Sequence, residues 1–370
     1  MLKDQRQPKK VFVAMSGGVD SSVAAALLKK RGFDVTGVFF KPLQPESGLS
    51  GCMWRQDRRD AAKVAETLGI GFKTWNFAEE YEKEVTKYML ESYKKGATPN
   101  PDVMCNKKIK FGLFLKKALQ EGADFIATGH YVRKIKNKKS KIKNNPQKEE
   151  NQELYKLLMA KDKNKDQSYF LWTLTQKQLE HCLFPIGDFL KSEVRKMAKD
   201  FDLPVYDKKD SQGICFVGKL NVKDFLKSYI PEKKGEIKLF QSGKTIGYHD
   251  GTYYYTIGQR HGLDLKIGGG PYFVVAKDLK KNLICVTKNI KDLNNQQAEV
   301  EDVSWVSGKP IVPFKADVRV RYRNKTVPAL ITGREKTLLV KFLKPAVAIA
   351  PGQSAVFYRG QEMLGGGILK

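Results

Sequence analysis

The chain has 370 residues, 67 of them Lys or Arg against 40 Asp or Glu, for a formal net charge of +27. Hydrophobic residues at 41%, with 20 Phe, 15 Tyr and 4 Trp, exclude a wholly disordered chain; the length calls for two or three domains, and no apolar run is long enough to cross a bilayer as a helix. A cationic surplus of this size repels itself unless a polyanion accepts it, which points to a nucleic acid or an anionic surface as partner, against the plainer reading of a lysine-rich composition at solvated positions.

The opening MLKDQRQPKK has no secretory-signal pattern, so the cytoplasm is the expected compartment. There the five cysteines, Cys52, Cys105, Cys182, Cys215 and Cys285, stay reduced. An odd count without a C-x-x-C pair argues against a disulfide framework and a zinc ribbon. Alternating strand and helix patterns follow: VFVAM, SSVAAALLKKR, DVTGVFF, DRRDAAKVAETLG, FKTWNF and EEYEKEVTKYMLESY. After an Asn-Pro-Asp turn, IKFGLFLKKALQEG reads as a helix and ADFIATGHY as a strand. Short β-branched runs between amphipathic helices predict a doubly wound α/β parallel-sheet domain. Residues 133–153 are lysine-rich and free of aromatics, a basic insertion at a hairpin tip to which no chemistry is assigned. Helices are predicted in TQKQLEHCLF, in DFLKSEVRKMAKDFDLP, closed by Pro204, and in KLNVKDFLKSYIP before Pro231. From Gly235 onward short strands (YYYTIG, PYFVVAKD, LICVTK, FKADVRVRYR, TLLVKFL, QSAVFY) indicate a small β-rich central domain and a C-terminal β-barrel. The expected domains are 1–217, 218–290 and 291–370.

In FVAMSGGVDSSVAAALL a strand ends at Met15, a Ser-Gly-Gly turn follows, and a helix opens near Asp20 to Ser22. Gly17 and Gly18 let backbone N–H groups converge, Ser16, Ser21 and Ser22 add hydroxyls, and the helix start adds partial positive charge, together a cradle for phosphate. A tight strand-to-helix turn would need glycine for steric reasons alone, but S-G-G-V-D-S-S is richer than that. It is neither a G-x-x-x-x-G-K-[ST] loop nor a G-x-G-x-x-G fingerprint, and QSGKT at 241–245 lacks the first glycine, Lys238 standing there. The S-G-G-x-D-S pattern resembles the pyrophosphate loop of the N-type ATP pyrophosphatases, of adenine nucleotide alpha hydrolase-like fold, which adenylate a substrate at the expense of ATP.

Seven stretches extend the likeness: AMSGGVDSS, TPNPDVMCNKKIKF, ATGHYVR, KDQSYFLWTL, KKDSQGICFVG, TIGQRHGL and PGQSAVFY. Together they resemble the tRNA-specific 2-thiouridylases, from Val11 to Leu369 in consistent order. The resemblance implies ATP-dependent replacement of the C2 oxygen of the wobble uridine of tRNA by sulfur. It makes Cys105 the nucleophile, Cys215 the persulfide carrier and Asp102 a proton shuttle or base-orienting group, with Lys107 and Lys108 favouring a Cys105 thiolate. It puts Ala14, Met15, Ser16, Gly17, Gly18, Val19, Asp20, Ser21, Phe40 and Gly129 around ATP. Phe40 departs from the methionine common at that position, which changes the shape of one adenine contact. Asn100, Pro101, Asp102, His130, Lys165, Asp166, Gln167, Arg321, Tyr322 and Gln353 fall at target-base or tRNA contacts. Mg²⁺ is expected with the triphosphate, and the sequence shows no all-protein metal cage.

Each assignment has a plainer counterpart. A lone cytosolic cysteine is usually a small core residue, as Cys182 in the TQKQLEHCLF helix is expected to be, and His130 can merely close a strand. In VRVRYR, alternation would put Arg319, Arg321 and Arg323 on one face, suited to phosphates, or else an ordinary polar barrel face. SQGICF is expected to be a mobile carrier of Cys215. The partners implied are tRNA and a persulfide sulfur donor or relay protein, with neither DNA nor membrane. Competing readings are another pyrophosphatase-loop tRNA modifier, lysidine synthetase-like or 4-thiouridine-forming, and a non-catalytic basic RNA-binding protein.

Overall fold

The structure, a computed structural model, describes residues 7–41, 53–137, 154–210, 222–265, 267–268, 270–334 and 337–370. Cys52, Cys215 and the tip of the basic insertion at 138–153 lie outside the described residues, as does the whole of SQGICF.

The first domain is built on a parallel sheet of β1 (Lys10–Met15), β2 (Asp34–Lys41), β3 (Gly71–Asn76), β4 (Phe125–Thr128) and a two-residue strand at Cys182–Leu183, in the order β3-β2-β1-β4 with the short strand outermost. The β-branched residues Val11 and Val13 are wholly buried, as a strand covered on both faces requires. On one face lie α1 (Val19–Lys30) and α2 (Met53–Leu68). Helix α1 is buried over almost its whole length because Ala24, Ala25 and Ala26 let it press close to the sheet. The other face carries α3 (Ala78–Tyr81) and α4 (Lys87–Lys94), joined by π-helical turns over Glu82–Thr86, and then α5 (Pro101–Cys105), π-helical turns over Asn106–Phe114 and α6 (Leu115–Gln120) as one continuous rod. Strand order reverses beside β1, and ligands of such sheets sit outside the strands' carboxyl ends at that point.

Next in the chain, β5 (Val132–Asn137) and β6 (Leu154–Met159) form the arms of the hairpin whose tip is basic, in a register running from Val132 opposite Met159 to Asn137 opposite Leu154. After α7 (Gln176–Glu180) comes the short strand, β7, and then α8 (Lys191–Asp200) and α9 (Val222–Lys227). The central domain is a four-stranded sheet of β8 (Gly235–Leu239), β9 (Thr245–His249), β10 (Phe273–Asp278) and β11 (Leu283–Thr287), in the order β10-β11-β8-β9. The last domain comprises β12 (Asn294–Trp305), β13 (Phe314–Arg319), β14 (Val327–Arg334), β15 (Thr337–Val347), β16 (Ser354–Arg359) and β17 (Glu362–Leu369); pairing of β12 with β17 closes them into a six-stranded barrel. Beyond the barrel, β6 pairs with β17, Leu157 opposite Met363, so a hairpin from the first domain is hydrogen-bonded to the last.

Several elements differ from the sequence-based expectation. The Asn-Pro-Asp segment is the first turn of α5 rather than a separate turn: Asn100 caps it by accepting the Val103 N–H at 3.3 Å, and Pro101 takes a position whose missing N–H costs nothing. Cys182 is in β7 and not in a helix, since α7 stops at Glu180 and the next residues pair with Ile126 and Ala127. YYYTIG is not a strand: a 3₁₀ turn covers Thr252–Tyr254 and Gly258 has a φ of 82°. Strand β13 ends at Arg319, so Arg319, Arg321 and Arg323 do not form one row; Arg323, at φ 65°, lies in a turn.

Candidate nucleotide and RNA site

The cradle forms where β1 runs into α1. Gly17 takes a φ of 73°, and a Cβ there would lie 2.1 Å from the Asp57 carbonyl oxygen, so only glycine fits. The neighbouring hydroxyls and amides are interlocked: the Ser16 N–H donates to Ser21 Oγ at 3.2 Å, the Gly18 N–H reaches Ser16 Oγ at 3.4 Å, and the Ser22 hydroxyl donates to the Gly18 carbonyl at 2.8 Å. Gly129, at the end of β4, abuts the same turn; a Cβ on it would stand 2.7 Å from the Ser21 nitrogen. Ala14 and Met15 are the last residues of β1, and Val19 opens α1. Phe40, near the carboxyl end of β2, is half-buried and packs edge-on against Phe77 and Phe114 at 5.5 and 4.9 Å.

Around this turn is a set of ionic contacts that sequence reasoning did not find. Asp20 accepts hydrogen bonds from the Tyr131 hydroxyl at 2.8 Å and from Lys191 Nζ at 2.7 Å. Lys191 also reaches Asp210 at 2.8 Å, and Asp210 receives Lys165 at 2.7 Å and Arg195 at 3.0 Å. Burial by itself would raise the Asp210 pKa; the ammoniums of Lys165 and Lys191 overcome it and bring it down to about 2. On the other side of the loop Lys208 Nζ donates to the Gly17 carbonyl at 2.9 Å, to Asp57 at 2.7 Å and to Asp60 at 2.5 Å. Tyr131, Lys208 and Asp210 lie inside the quoted ATGHYVR and KKDSQGICFVG stretches, which was their one signal; Lys191 had none.

The end of β4 links this cradle to the cysteine helix. The His130 ring is 5.8 Å from that of Phe111 on the π-helical turns after Cys105, and its Nδ1 is 2.8 Å from Thr128 Oγ1. His130 is only 7% exposed. Burial, with the Lys110 charge adding to it, lowers its pKa well below the usual range, so the ring is a neutral hydrogen-bonding group. Cys105 is wholly buried in the core that Phe111 and Phe114 share. Lys108 is engaged elsewhere, on Glu84 at 2.7 Å, which leaves Lys107 as the lysine of that pair facing a cavity of about 240 Å³ with Asn100, Trp172 and Ser354. With Cys215 outside the described residues, the distance between the two cysteines is not part of this geometry.

The segment before Asn100 is held by all three domains. Thr98 donates its N–H to the Pro351 carbonyl at 2.7 Å and its hydroxyl to Thr256 at 3.1 Å, while Gln353 Nε2 donates to the Thr98 carbonyl at 2.9 Å. Gln353 thus fixes the approach to the cysteine helix. Arg321 is tucked against Gly258 of the central domain, where a Cβ would meet Nη1 at 2.8 Å, and Tyr322 packs on Phe170 with ring centroids 4.4 Å apart. Gln167 exchanges hydrogen bonds with the Tyr131 backbone, both at 2.9 Å. Asp166 is 2% exposed, and its carboxylate accepts from the N–H groups of Ala160 and Ser168, the Ser168 hydroxyl and Arg319 at 2.9 Å. Its contacts are internal, whereas Lys165 is half-buried at the edge of the ionic set.

A parallel sheet with a glycine turn capping a helix at the reversal of strand order defines a nucleotide-binding α/β protein, here with two β domains appended. The comparisons agree: a family model described as "tRNA methyl transferase HUP domain" matches residues 9–219, "tRNA methyl transferase PRC-barrel domain" matches 223–288, and "Aminomethyltransferase beta-barrel domain" matches 295–369. The "tRNA-specific 2-thiouridylase MnmA 2" of Geobacillus kaustophilus (strain HTA426) is 44% identical over 97% of this chain and 94% of its own length. That of Proteus mirabilis (strain HI4320), "tRNA-specific 2-thiouridylase MnmA", is 44% identical over 100% of this chain and 99% of its own length. The chain belongs to the tRNA-specific 2-thiouridylase family. Among solved structures, NMN synthetase from Francisella tularensis matches 55% of the chain at 18% identity and a TM-score of 0.31, a likeness too slight to speak for the fold.

Proposed function

We propose that this protein is an ATP-dependent tRNA sulfurtransferase that converts the C2 carbonyl of the wobble uridine to a thiocarbonyl. One observation carries the reading: a phosphate-type loop and the helical rod that continues from Cys105 meet across two consecutive residues, Gly129 against the loop and His130 against Phe111, six positions after Cys105. A uracil C2 oxygen is a poor leaving group, and adenylation makes it a good one. The oxygen attacks the α-phosphorus, the bond to the β-phosphate oxygen breaks, pyrophosphate departs, and the N3 proton passes to Asp102. The terminal sulfur of a Cys215 persulfide then bonds to C2 as AMP leaves. Cys105 thiolate attacks the Cys215 sulfur, the sulfur–sulfur bond breaks, the sulfur stays on C2, and N3 regains its proton. The resulting disulfide between Cys105 and Cys215 takes two electrons from a thiol reductant, and a persulfide donor or relay protein reloads Cys215.

The interlocked amides and hydroxyls of residues 16–22 suit a triphosphate, and Phe40 offers an apolar face to adenine. Mg²⁺ would arrive with the nucleotide and offset the charge on the leaving pyrophosphate. Asp20, Asp57 and Asp60, the carboxylates beside the loop, each carry a lysine ammonium, so phosphate oxygens and water would hold the ion rather than a protein cage. Full burial of Cys105 keeps bulk water from the adenylate and requires that the base be splayed out of the anticodon loop into a pocket opened by tRNA. Asn100, Pro101, His130, Lys165, Gln167, Arg321, Tyr322 and Gln353 are the residues we assign to that RNA surface, with Asp166 acting behind it.

Unmodified tRNA should trigger release of AMP and pyrophosphate and yield 2-thiouridine by mass spectrometry when a sulfide source is present. Cys105→Ser and Cys215→Ser should each abolish thiolation and leave tRNA affinity nearly intact. Loss of tRNA binding in both variants, or thiolation by either, would overturn the assignment of the two thiols.

A further inference from the structure

Lys208 is joined to the phosphate loop by the Gly17 carbonyl and to α2 by two carboxylates, Asp57 and Asp60. Partial burial by itself would lower its pKa, but the hydrogen bonds it donates to these carboxylates raise it above the ordinary lysine value, so the ammonium is charged at neutral pH.

Two consequences follow for a bound triphosphate. In a trans peptide the carbonyl of one residue and the N–H of the next point in opposite directions. An ammonium 2.9 Å from the Gly17 oxygen therefore holds the Gly18 N–H on the other side, where Ser16 Oγ lies 3.4 Å away within the cradle. The second consequence is electrostatic. The turn of α2 bearing Asp57 touches the loop, as the 2.1 Å separation between a Gly17 Cβ and the Asp57 carbonyl oxygen shows. Two carboxylates close to a polyphosphate oppose its binding unless a cation compensates them, and Lys208 is within ion-pair distance of both.

We propose that Lys208 is a positioning residue of the ATP site: without touching the nucleotide, it orients the peptide between Gly17 and Gly18 and neutralises Asp57 and Asp60. This rests on the reading of the loop as an ATP cradle. It also gives Lys208, three residues from the start of the segment that carries Cys215, a task in nucleotide binding separate from sulfur transfer.

The test uses the full-length protein, a non-hydrolysable α,β-methylene ATP analogue with Mg²⁺, and unmodified tRNA, with dissociation constants measured by calorimetry. Lys208→Met should weaken analogue binding by about tenfold or more, the scale of one lost charge-assisted hydrogen bond with carboxylates left uncompensated, while tRNA affinity stays within about twofold because the Lys208 ammonium is engaged by Gly17, Asp57 and Asp60 and by none of the residues assigned to RNA. Adding Asp57→Asn and Asp60→Asn to Lys208→Met should restore most of the lost affinity, which repair of a merely structural contact would not do. Should Lys208→Met fail to fold, Asp57→Asn with Asp60→Asn in the otherwise native chain should tighten analogue binding, since one ammonium then stands unopposed. Unchanged analogue affinity in Lys208→Met, no recovery in the triple variant, or no tightening in the double variant would overturn the inference. Absence of analogue binding by the native protein would instead overturn the cradle itself.

Discussion

Arg319 stands in an arginine-rich strand pattern, yet its guanidinium lies on Asp166 inside the molecule, 2.9 Å away, because β13 stops at that residue. An alternation rule needs a strand that continues, and a turn with Arg323 at φ 65° breaks it. The pair has the anatomy of a buried salt bridge: Asp166 accepts three further internal hydrogen bonds, two from backbone N–H groups and one from a hydroxyl. Asp166→Ala should lower unfolding stability by about 3–5 kcal/mol, since it strands a buried guanidinium and two amides; replacing Arg319 by Met in the same chain should recover part of that in urea titrations. Cys182 illustrates the opposite outcome. Its expected role as core filler agrees with its complete burial, which pushes its thiol up to about 12, even though the element that holds it is a strand. At this scale sequence shows what a side chain can do but not which neighbour has already claimed it, as Lys108 on Glu84 also demonstrates.

The helix that carries Cys105 is the element whose form departs furthest from expectation. It begins at Pro101, and from Asn106 to Phe114 it is wound in π-helical turns, a form uncommon over such a length and associated with functional sites. Gly112 makes the winding possible: a Cβ there would sit 2.9 Å from the Lys107 carbonyl oxygen. Alanine for glycine inside an ordinary helix stabilises by up to about 1 kcal/mol. Here Gly112→Ala should do the reverse, lowering the melting temperature and slowing thiolation together by shifting the register of Cys105; a raised melting temperature with unchanged rate would show the wide turns to be inconsequential. Periodicity could not reveal this, because a π segment keeps the same apolar residues buried as an α-helix of slightly different phase would. The turn between β1 and α1 was legible for the converse reason: its demands on backbone are local and fall on Ser16, Gly17 and Gly18 in succession.

Across the whole molecule, residues 96–100 join the first domain to both others, through Thr256 and Leu279 of the central domain and through Pro351, Gly352 and Gln353 of the barrel. The net charge of +27 acts at this same scale. If the surplus serves RNA, tRNA affinity should fall by roughly one to two orders of magnitude between 50 and 200 mM salt, as release of counterions from about four phosphate contacts requires; a filter-binding titration that stayed flat would return the lysines to mere solvation. Alternating apolar runs and helix-length spacings were enough to predict the parallel sheet, the change to β structure near Gly235 and the terminal barrel, since each depends on near neighbours in the chain. Tertiary structure alone decided the closure of β12 on β17, the attachment of the β6 hairpin to the barrel, and the ionic groups Lys191, Lys208 and Asp210 around the phosphate loop. These join residues more than forty positions apart, and no local preference encodes a contact whose energy appears only once distant segments have been packed together.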